Sequence, residues 1–412
     1  MTDSAGPAPY SIRPVNRAEF DEFDLVMQQA FHGSPASPES EAIRAGIFEF
    51  PRTLAAFDES SIVGTASAYS FSMTVPGGAV PCAGVTWVSV LPSHRRRGVL
   101  RSLMRRQLAD VDAAGREPIA ALWASEAGIY ERYGYGRASW HLSLTVHRGE
   151  GVLARDGASR ADGVRVRLVA PSSAREALAS VYDQVRASRP GFFARNTAWW
   201  DRVLSDPEAS RGRAGPLRCV LASDSAGPRG YALYAGTQQW EDDTFLPSST
   251  LAVRELVAAD AAASAALWGD LLSRDLTTSF RADLRPADDP LLYQLADPRR
   301  TRPTISDGLW VRLVDVAAAL SARRYSAPVS VVIAVRDREL PKNEGHWRLT
   351  TAVADEADAG GLAAVCSRTD DAADLEVDVA SLGAAYLGGT RLGTLAGAGL
   401  VTELRPGAVR SL

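Results

Sequence analysis

The segment 95–98 reads Arg-Arg-Arg-Gly and is the part of this sequence best suited to bind an anion. It lies between an apolar run typical of a strand (85–90) and a segment whose apolar residues keep helical spacing as far as Gly115. A helix start offers unpaired backbone N–H groups and the positive end of the helix dipole. Arginine adds forked hydrogen bonds to phosphate oxygens, and glycine lets the backbone approach closely. The segment therefore predicts a strand–turn–helix site for a pyrophosphate.

Two better-known phosphate loops are excluded here. The sequence contains no G-x-x-x-x-G-K-[ST] pattern, and no G-x-G-x-x-G follows the strand. The alternative interpretation is a solvated run of arginines at a helix start. Because the helix dipole disfavours cations at this end, anion binding is the better interpretation.

A second candidate segment, ASEAGIYERYGYG (124–136), has the pattern of a short helix broken by glycines. In it Tyr130 and Tyr133 precede a Gly-Tyr-Gly. A tyrosine hydroxyl with a pKa of about 10 can donate a proton to a thiolate whose thiol has a pKa of about 8.5. The alternative is that both tyrosines are amphipathic residues at the rim of a core.

The elements that must position these segments begin again in the middle of the chain. A strand–helix, strand–turn–strand and helix pattern in the first part reappears, without the arginine motif, between 164 and 275. We interpret 139–147 as the closing strand of the first module and the Pro- and Arg-rich segment 295–308 as a linker. The last hundred residues begin with an expected helix (309–325) and continue as a separate α+β module.

Composition limits the class of protein. The chain has 412 residues, of which 46% are apolar and 23% charged, which indicates a globular protein of two or three domains. The net charge of −4 argues against a nucleic-acid partner. Three scattered cysteines indicate a reducing compartment, and neither they nor the five histidines show metal-ligand spacing, so we expect no metal. A polar N-terminus and the lack of a long apolar window predict no signal peptide, no membrane span and a cytoplasmic location.

The arginine segment and the tyrosine segment, in this order, resemble the Gcn5-related N-acetyltransferases (GNAT). The stretch VTWVSVLPSHRRRGVLRSLM (85–104), the stretch SEAGIYERYGYG (125–136), the degenerate second copy and the unrelated third module resemble the enhanced-intracellular-survival (Eis) acetyltransferases within that superfamily. The resemblance implies a fold of class α/β and α+β, with a GNAT domain at 1–150, a degenerate GNAT-like domain at 151–300 and a sterol-carrier-protein-like domain at 301–412. It also implies a homo-oligomer, namely a hexamer.

The resemblance further implies roles for individual residues. Acetyl-CoA would be the co-substrate, and the acceptor would be an amine of an aminoglycoside, a polyamine or a lysine side chain. Tyr130 would protonate the leaving thiolate, and Trp87 would form a wall of the amine pocket. The cofactor-binding residues would be Val88, Ser89, Val90, Arg96, Arg97, Gly98, Val99, Leu100, Arg101, Ser125 and Glu126.

The general base has two candidates. The resemblance implies the carboxylate of the chain terminus, here Leu412, but the tail VTELRPGAVRSL departs from the pattern of the group, and a water or another carboxylate is the alternative. We expect Cys82 to be a buried strand residue and not a nucleophile. We expect Glu22 and Asp24 to lie on a solvated helix face. An alternative function for the chain is a non-enzymatic scaffold that binds acyl-CoA or lipid.

Overall fold

A computed structural model describes residues 10–154, 163–351 and 361–412. Within these ranges the strands form two seven-stranded sheets and one five-stranded sheet. The strands are β1 Ser11–Pro14, β2 Thr53–Asp58, β3 Ser61–Val75, β4 Gly78–Val90, β5 Ile119–Trp123, β6 Gly136–Arg137, β7 Trp140–His147, β8 Arg165–Val169, β9 Arg218–Asp224, β10 Gly227–Gly236, β11 Ser249–Ala258, β12 Thr277–Pro286, β13 Thr304–Asp307, β14 Leu309–Leu313, β15 Ser330–Arg336, β16 Gly345–Thr351, β17 Ala364–Arg368, β18 Leu375–Asp378 and β19 Val401–Glu403. The α-helices are α1 Phe20–Phe31, α2 Pro38–Ile47, α3 Val99–Ala114, α4 Ala127–Tyr130, α5 Arg175–Arg186, α6 Thr197–Leu204, α7 Ala261–Leu272, α8 Leu291–Gln294, α9 Val316–Ala322, α10 Val379–Ala385 and α11 Leu392–Gly397.

The first sheet has the strand order β1-β2-β3-β4-β5-β14-β6 and carries helices on both faces. Alternate residues of β2 point to opposite faces, as in any strand. Phe57 therefore packs with Phe23 of α1, whereas Leu54 packs with Leu103 of α3. The expected strands and helices up to Trp123 are confirmed, and α3 begins after Gly98 and ends before Gly115 as predicted.

The closing strand of the first module lies in the other large sheet, contrary to the prediction. The order of that sheet is β13-β7-β12-β11-β10-β9-β8, so β7 pairs with β12 and β13. In exchange, β14 pairs with β5 in the first sheet. The two GNAT-like modules are therefore joined by an exchange of strands: β7 lies in the second sheet, and β14 lies in the first. A sequence pattern reports only that one face of a strand is buried, not which sheet buries it.

Two further predictions near the third module were wrong. The segment 309–325 is a strand, β14, followed by the short helix α9, and the expected linker 295–308 contains strand β13. Residues of β14 are buried on both faces of the sheet, with Val311 on one side and Trp310 on the other. A short apolar run that is buried on both faces cannot be told from a buried helix by periodicity.

The third module, with sheet order β17-β16-β15-β18-β19, lies against the first sheet through two glycines. A Cβ at Gly136 would be 1.7 Å from the carbonyl oxygen of Ala380, and one at Gly383 would be 2.1 Å from that of Val311. Only glycine allows the backbone of α10 to approach β6 and β14 this closely. The first sheet and the third module consequently share one continuous core.

A fully buried arginine of β14 joins this core to the tyrosine segment. The guanidinium of Arg312 donates two hydrogen bonds of 2.7 Å to the carboxylate of Asp337 and one of 2.9 Å to the carbonyl of Tyr133. Asp337 also accepts a hydrogen bond from Asn343 and bonds from the backbone N–H groups of residues 339 and 340. A buried charge pair needs such additional partners to offset its desolvation. The turn after α4 is thus held by the third module.

Replacement of Asp337 by alanine should destabilise the fold strongly, because it leaves the buried charge of Arg312 without a partner. We expect a loss of about 3–5 kcal/mol in the free energy of unfolding, measured by chemical denaturation. Glu376→Ala, which breaks the exposed pair with Arg336, is the control and should cost far less. Equal losses in the two variants would contradict a structural role for the buried pair.

Candidate active site

The first sheet opens between two parallel strands, β4 and β5. They pair only at Cys82–Ile119, Ala83–Ala120 and Gly84–Ala121, and β4 continues to Val90 without β5 beside it. The edge of β4 from Val85 onward therefore faces an opening instead of a neighbouring strand. Backbone groups along such an edge can pair with an extended ligand as they would with a strand.

A β-bulge reshapes β4 within this opening. Three steps along β4, from Thr86 to Ser89, correspond to two steps along β3, from Ser67 to Thr65, and Trp87 adopts a left-handed φ of 54°. The Thr65 hydroxyl donates a hydrogen bond of 2.7 Å to the Trp87 carbonyl and lies 2.6 Å from the Ser89 hydroxyl. A bulge changes the direction of side chains and frees backbone groups from the ladder. Among the predicted cofactor residues, Ser89 is buried, while Val88 and Val90 are half-buried.

The arginine loop between β4 and α3 has two left-handed residues close together. Arg96 has a φ of 62° and Gly98, the N-cap of α3, a φ of 85°. Alternation of this kind can direct successive backbone N–H groups into one concavity, which suits an anion. A non-glycine residue in this region costs of order 1–3 kcal/mol, a strain often found at functional sites. No side chain in the described ranges caps the helix at Gly98.

The side chains of this loop have different surroundings. The guanidinium of Arg95 donates a hydrogen bond of 3.3 Å to the carbonyl of Ala30, and His94 lies 3.1 Å from the carboxylate of Asp58. Arg96 and Arg97 are exposed, and neither forms an ion pair with a carboxylate that the structure describes. Behind them, Val99 is buried and Leu100 packs against the core, while Arg101 is half-buried.

The corresponding helix of the second module, α7, has a different start. Its N-cap, Asp260, accepts a hydrogen bond of 2.8 Å from the backbone N–H of Ala263 and forms an ion pair with Arg229. A carboxylate of the chain itself thus occupies the place where an external anion would bind. The strands there also pair further, over five residue pairs between β11 and β12. Of the two modules, the first is the one whose parallel strands pair over fewer residues and whose helix start is left uncapped by the described side chains.

Tyr130 lies at the base of the opening and is buried. Its ring belongs to the cluster that contains Val85 of β4 and Leu122 of β5, and Leu100 packs against the same cluster. Burial raises the pKa of Tyr130 above its usual value, and a hydrogen bond with Ser125 opposes this shift, whereas the charge of Glu126 adds to it. The phenol is therefore protonated at neutral pH. Ser125 and Glu126 are themselves exposed in the turn after β5.

An aromatic wall lies on the other face of β3 and β4. The Trp87 indole N–H donates a hydrogen bond of 2.8 Å to the hydroxyl of Tyr69, and Trp199 of α6 lies with its ring centroid 5.1 Å from Tyr69 and 5.0 Å from Phe71. Phe193 stands 4.4 Å from Phe71. Sequence reasoning identified Trp87 but missed the other four. Tyr69 and Phe71 are two residues apart on one strand, a spacing that could have predicted that they share one face. No sequence pattern connects Trp199 with these two residues.

Leu412 lies in the third module, where it lines a cavity together with Leu320 and Tyr325. Its side chain packs against the core shared with the third module, which contains Cys82, whereas Tyr130 belongs to the cluster on the other face of β4 and β5.

Three other predictions about side chains can be compared with the structure. Asp24 is buried and ion-paired with Arg44 at 3.1 Å, so the expectation of a solvated position was wrong for this residue. Glu22 is exposed but accepts a hydrogen bond of 2.8 Å from the backbone N–H of Ile62. Cys82 is fully buried, as predicted. Its pKa is raised first by burial and then by the charge of Glu117.

Two negative observations apply to the described residues. No group of three or more His, Cys, Asp or Glu side chains in these ranges is arranged to hold a metal ion. None of the helices found there has the length and apolar content that a membrane-spanning segment requires.

Comparison with known sequences places the chain in a family. Residues 11–138 and 191–313 each match a family model described as an acetyltransferase (GNAT) domain, and residues 316–412 match a sterol carrier protein domain. An uncharacterized N-acetyltransferase of Streptomyces coelicolor is 42% identical over 402 residues, which cover 96% of this chain and 94% of that protein. The N-acetyltransferase Eis of Mycobacterium tuberculosis is 37% identical over 348 residues, 82% of this chain and 79% of that protein. The chain belongs to the Eis-like N-acetyltransferases of the GNAT superfamily.

Solved structures agree with this Eis-like assignment. Eis1 from Mycobacterium abscessus has a TM-score of 0.79 and 35% identity, and the match covers 97% of this chain and 95% of that one. A GCN5-related N-acetyltransferase from Anabaena variabilis has a TM-score of 0.81 at 19% identity, over 98% and 96% of the two chains, which shows the fold alone. The predicted architecture of two GNAT folds and a sterol-carrier-like domain is confirmed, and the Eis-like chain is an acyltransferase.

The three cysteines should be unreactive in the folded protein. All are buried, and burial raises the pKa of Cys219 and of Cys366 to about 12 and that of Cys82 further. Because the thiolate is the reactive form, Ellman's reagent at about pH 8 should find no fast-reacting thiol. Unfolding in guanidinium should expose all three. Rapid modification of Cys82 with loss of acetyl transfer would contradict its structural role.

Proposed function

We propose that this chain transfers the acetyl group of acetyl-CoA to an amine of a cationic substrate by direct attack in a ternary complex. The observation that carries the proposal is the opening between β4 and β5, which joins an uncapped helix start with exposed arginines to a buried, protonated tyrosine. The acceptor classes are those that carry a primary ammonium at neutral pH: an aminoglycoside, a polyamine or a lysine side chain.

The residues present fit acetyl-CoA as a co-substrate. The free edge of β4 at Val88–Val90 would pair with the amides of the pantetheine arm. The backbone N–H groups of Gly98, Val99 and Leu100, together with the side chains of Arg96 and Arg97, would bind the pyrophosphate. Arg101, Ser125 and Glu126 would lie beside the cofactor. Asp260 would exclude a second cofactor from the other GNAT fold, which implies one acetyl-CoA per chain.

The proposed reaction needs three groups. The nitrogen of the neutral amine attacks the thioester carbonyl carbon, and a backbone N–H of β4 near Val90 would stabilise the oxyanion. When the carbon–sulfur bond breaks, the hydroxyl of Tyr130 would donate its proton to the departing thiolate. The amine must lose one proton, and the carboxylate of Leu412 is the proposed base, with a water or another carboxylate as the alternative. Holding both substrates in one cleft adds the proximity effect.

Replacement of Tyr130 by phenylalanine should lower kcat by about 100-fold, because it removes the proton donor and leaves the ring. Since the raised pKa keeps this phenol protonated, the wild-type rate should rise with pH as the amine deprotonates and fall only at a pH above the usual pKa of a tyrosine. The variant should lose that alkaline fall. Steady-state kinetics at saturating acetyl-CoA, from pH 6 to 11 in steps, would measure both effects. Full activity in the variant would exclude the proposed role.

The arginine loop can be tested with a pair of matched glycines. Gly98 and Gly115 flank α3, both have positive φ, and neither has space-limiting neighbours. Gly98→Ala and Gly115→Ala should each cost about 1 kcal/mol in stability. Only Gly98→Ala should also weaken acetyl-CoA binding in calorimetry.

The double variant Arg96→Ala with Arg97→Ala should raise the KM for acetyl-CoA at unchanged fold, and an unchanged KM would refute the pyrophosphate site.

The alternative of a lipid- or acyl-CoA-binding scaffold has one observation in its favour. The third module contains a cavity of about 810 Å³ whose wall includes Leu320, Tyr325, Leu382 and Arg323. Thermal stabilisation by a lipid and not by acetyl-CoA would favour this role.

Assembly as a homohexamer and a cytoplasmic location complete the main proposal, and both are supported by the resemblance to the Eis group.

A further inference from the structure

We infer that the second module has a binding site of its own, which takes a small organic phosphate. The site is a cavity of about 500 Å³ at the end of the second sheet where β9, β11 and β12 begin and β10 ends. It lies beyond the last turn of α7, whereas a cofactor site like that of the first module would lie at the start of this helix. The inference is therefore independent of the proposed acetyl transfer.

The cavity exists because α7 covers only part of one face of this sheet. The helix has 12 residues, which span roughly 18 Å, whereas the 10 residues of β10 extend over roughly 33 Å. Leu267 of α7 and Tyr234 of β10 belong to one core beneath the helix. The strand ends beyond α7 border the cavity, which residues of the adjoining loops complete. A volume of this size is typical of a site for a small molecule.

One buried side chain in the cavity wall has a polar group without a partner. Tyr234 is 4% exposed, and its hydroxyl forms no hydrogen bond with a residue that the structure describes. Burial raises the pKa of this phenol, and the charge of Arg274 opposes the rise, so the hydroxyl is protonated at neutral pH and can donate a hydrogen bond. Because buried polar groups are nearly always paired, an unpartnered one in a cavity wall indicates a bound acceptor.

Two arginines of the same wall have no anionic partner. Arg218 is the cross-strand neighbour of Tyr234, so both side chains lie on one face of the sheet. Arg213 belongs to the loop that leads into β9, and both arginines line the cavity and are exposed. Neither forms an ion pair with a carboxylate in the described part of the chain. This concave surface is therefore positive, although the chain as a whole carries a net charge of −4.

The other charged groups of the wall are paired. Arg274 donates a hydrogen bond of 2.6 Å to Asp270, and its guanidinium lies 5.5 Å from the ring centroid of Tyr234. Since it follows α7, Arg274 also offsets the partial negative charge at that helix end. Asp275 lies 3.2 Å from the guanidinium of Arg148. The two unpaired arginines and the tyrosine hydroxyl are thus the groups left to bind a ligand.

These groups favour an organic phosphate over a carboxylate. A phosphate monoester carries up to two negative charges at neutral pH and can accept charge-assisted hydrogen bonds from two guanidinium groups at once. A carboxylate carries one charge and is satisfied by one guanidinium. Leu168 of β8 is 54% exposed and gives the wall an apolar side, which would contact the organic body of the ligand. A small molecule therefore fits better than inorganic phosphate alone.

The inference can be tested by calorimetry with phenyl phosphate as the probe. At neutral pH and low ionic strength, the full-length chain should bind phenyl phosphate more tightly than benzoate, which has one charge, and more tightly than inorganic phosphate, which has no ring. Arg218→Gln should weaken the binding of phenyl phosphate about tenfold, and Tyr234→Phe about threefold. Leu168→Ala should weaken the binding of phenyl phosphate and leave that of inorganic phosphate unchanged.

Arg167→Gln is the matched control, because Arg167 is exposed and adjacent to Leu168 on β8 but points to the opposite face of the sheet. It removes the same charge as Arg218→Gln and should leave the affinity unchanged. Equal losses in these two variants, or equal affinities for phenyl phosphate and benzoate, would show general attraction of anions and would overturn the inference.

The arginine loop of the first module can bind the same probe, so the titrations are repeated in the chain that carries Arg96→Ala and Arg97→Ala. The effect of Arg218→Gln should persist in that chain. Loss of all probe binding there would overturn the inference and would support the pyrophosphate site instead. Arg218→Gln should also leave the KM for acetyl-CoA unchanged, and a raised KM would show that the cavity is not a separate site. Failure of the proposed acetyl transfer would change none of these outcomes.

Discussion

The site depends on one constraint, the early end of pairing between two parallel strands. After Gly84, β4 and β5 separate, and the backbone groups of β4 that a sheet would normally satisfy are left at an open edge. Buried backbone groups require partners, so an opening of this kind is stable only where a ligand or water can supply them. The bulge at Trp87, the arginine loop and the buried Tyr130 all lie around this opening. The other edge of β5 pairs with β14.

The corresponding helices of the two GNAT-like modules, α3 and α7, begin in different ways. In the first, no side chain of the described residues caps the start of α3, and Arg96 and Arg97 are exposed beside it. In the second, Asp260 supplies the anion from within the chain. A capping carboxylate satisfies a backbone N–H group at the start of α7 that is left without such a cap at the start of α3. The second copy contributes Trp199 to the aromatic wall on β3.

Much of the fold could be predicted from local sequence, because its signals act within a few residues. The glycines at 98 and 115 mark the ends of α3, and the run before Pro92 marks a strand. The exchange of β7 and β14 could not be predicted, because alternation fixes the buried face of a strand and not its neighbour. Arg312 was missed for a related reason: its carboxylate partner, Asp337, lies 25 residues further along the chain. The burial of Asp24 was missed because its partner, Arg44, is on a different helix. Long-range pairs of this kind leave no periodic signal.

The exchange of strands has a consequence for how the chain reaches this structure during synthesis. When residue 147 leaves the ribosome, β7 has neither of its neighbours, since β12 and β13 are still to be made. The edge of β5 likewise stays uncovered until β14 at 309–313 has emerged. The nascent chain therefore carries an unpaired β7 from residue 147 until residue 277 has been made, and an unpaired edge of β5 from residue 123 until residue 309 has been made. Strand edges in such a state are prone to aggregate. Neither of the two large sheets can be completed until strands from distant parts of the chain have been made.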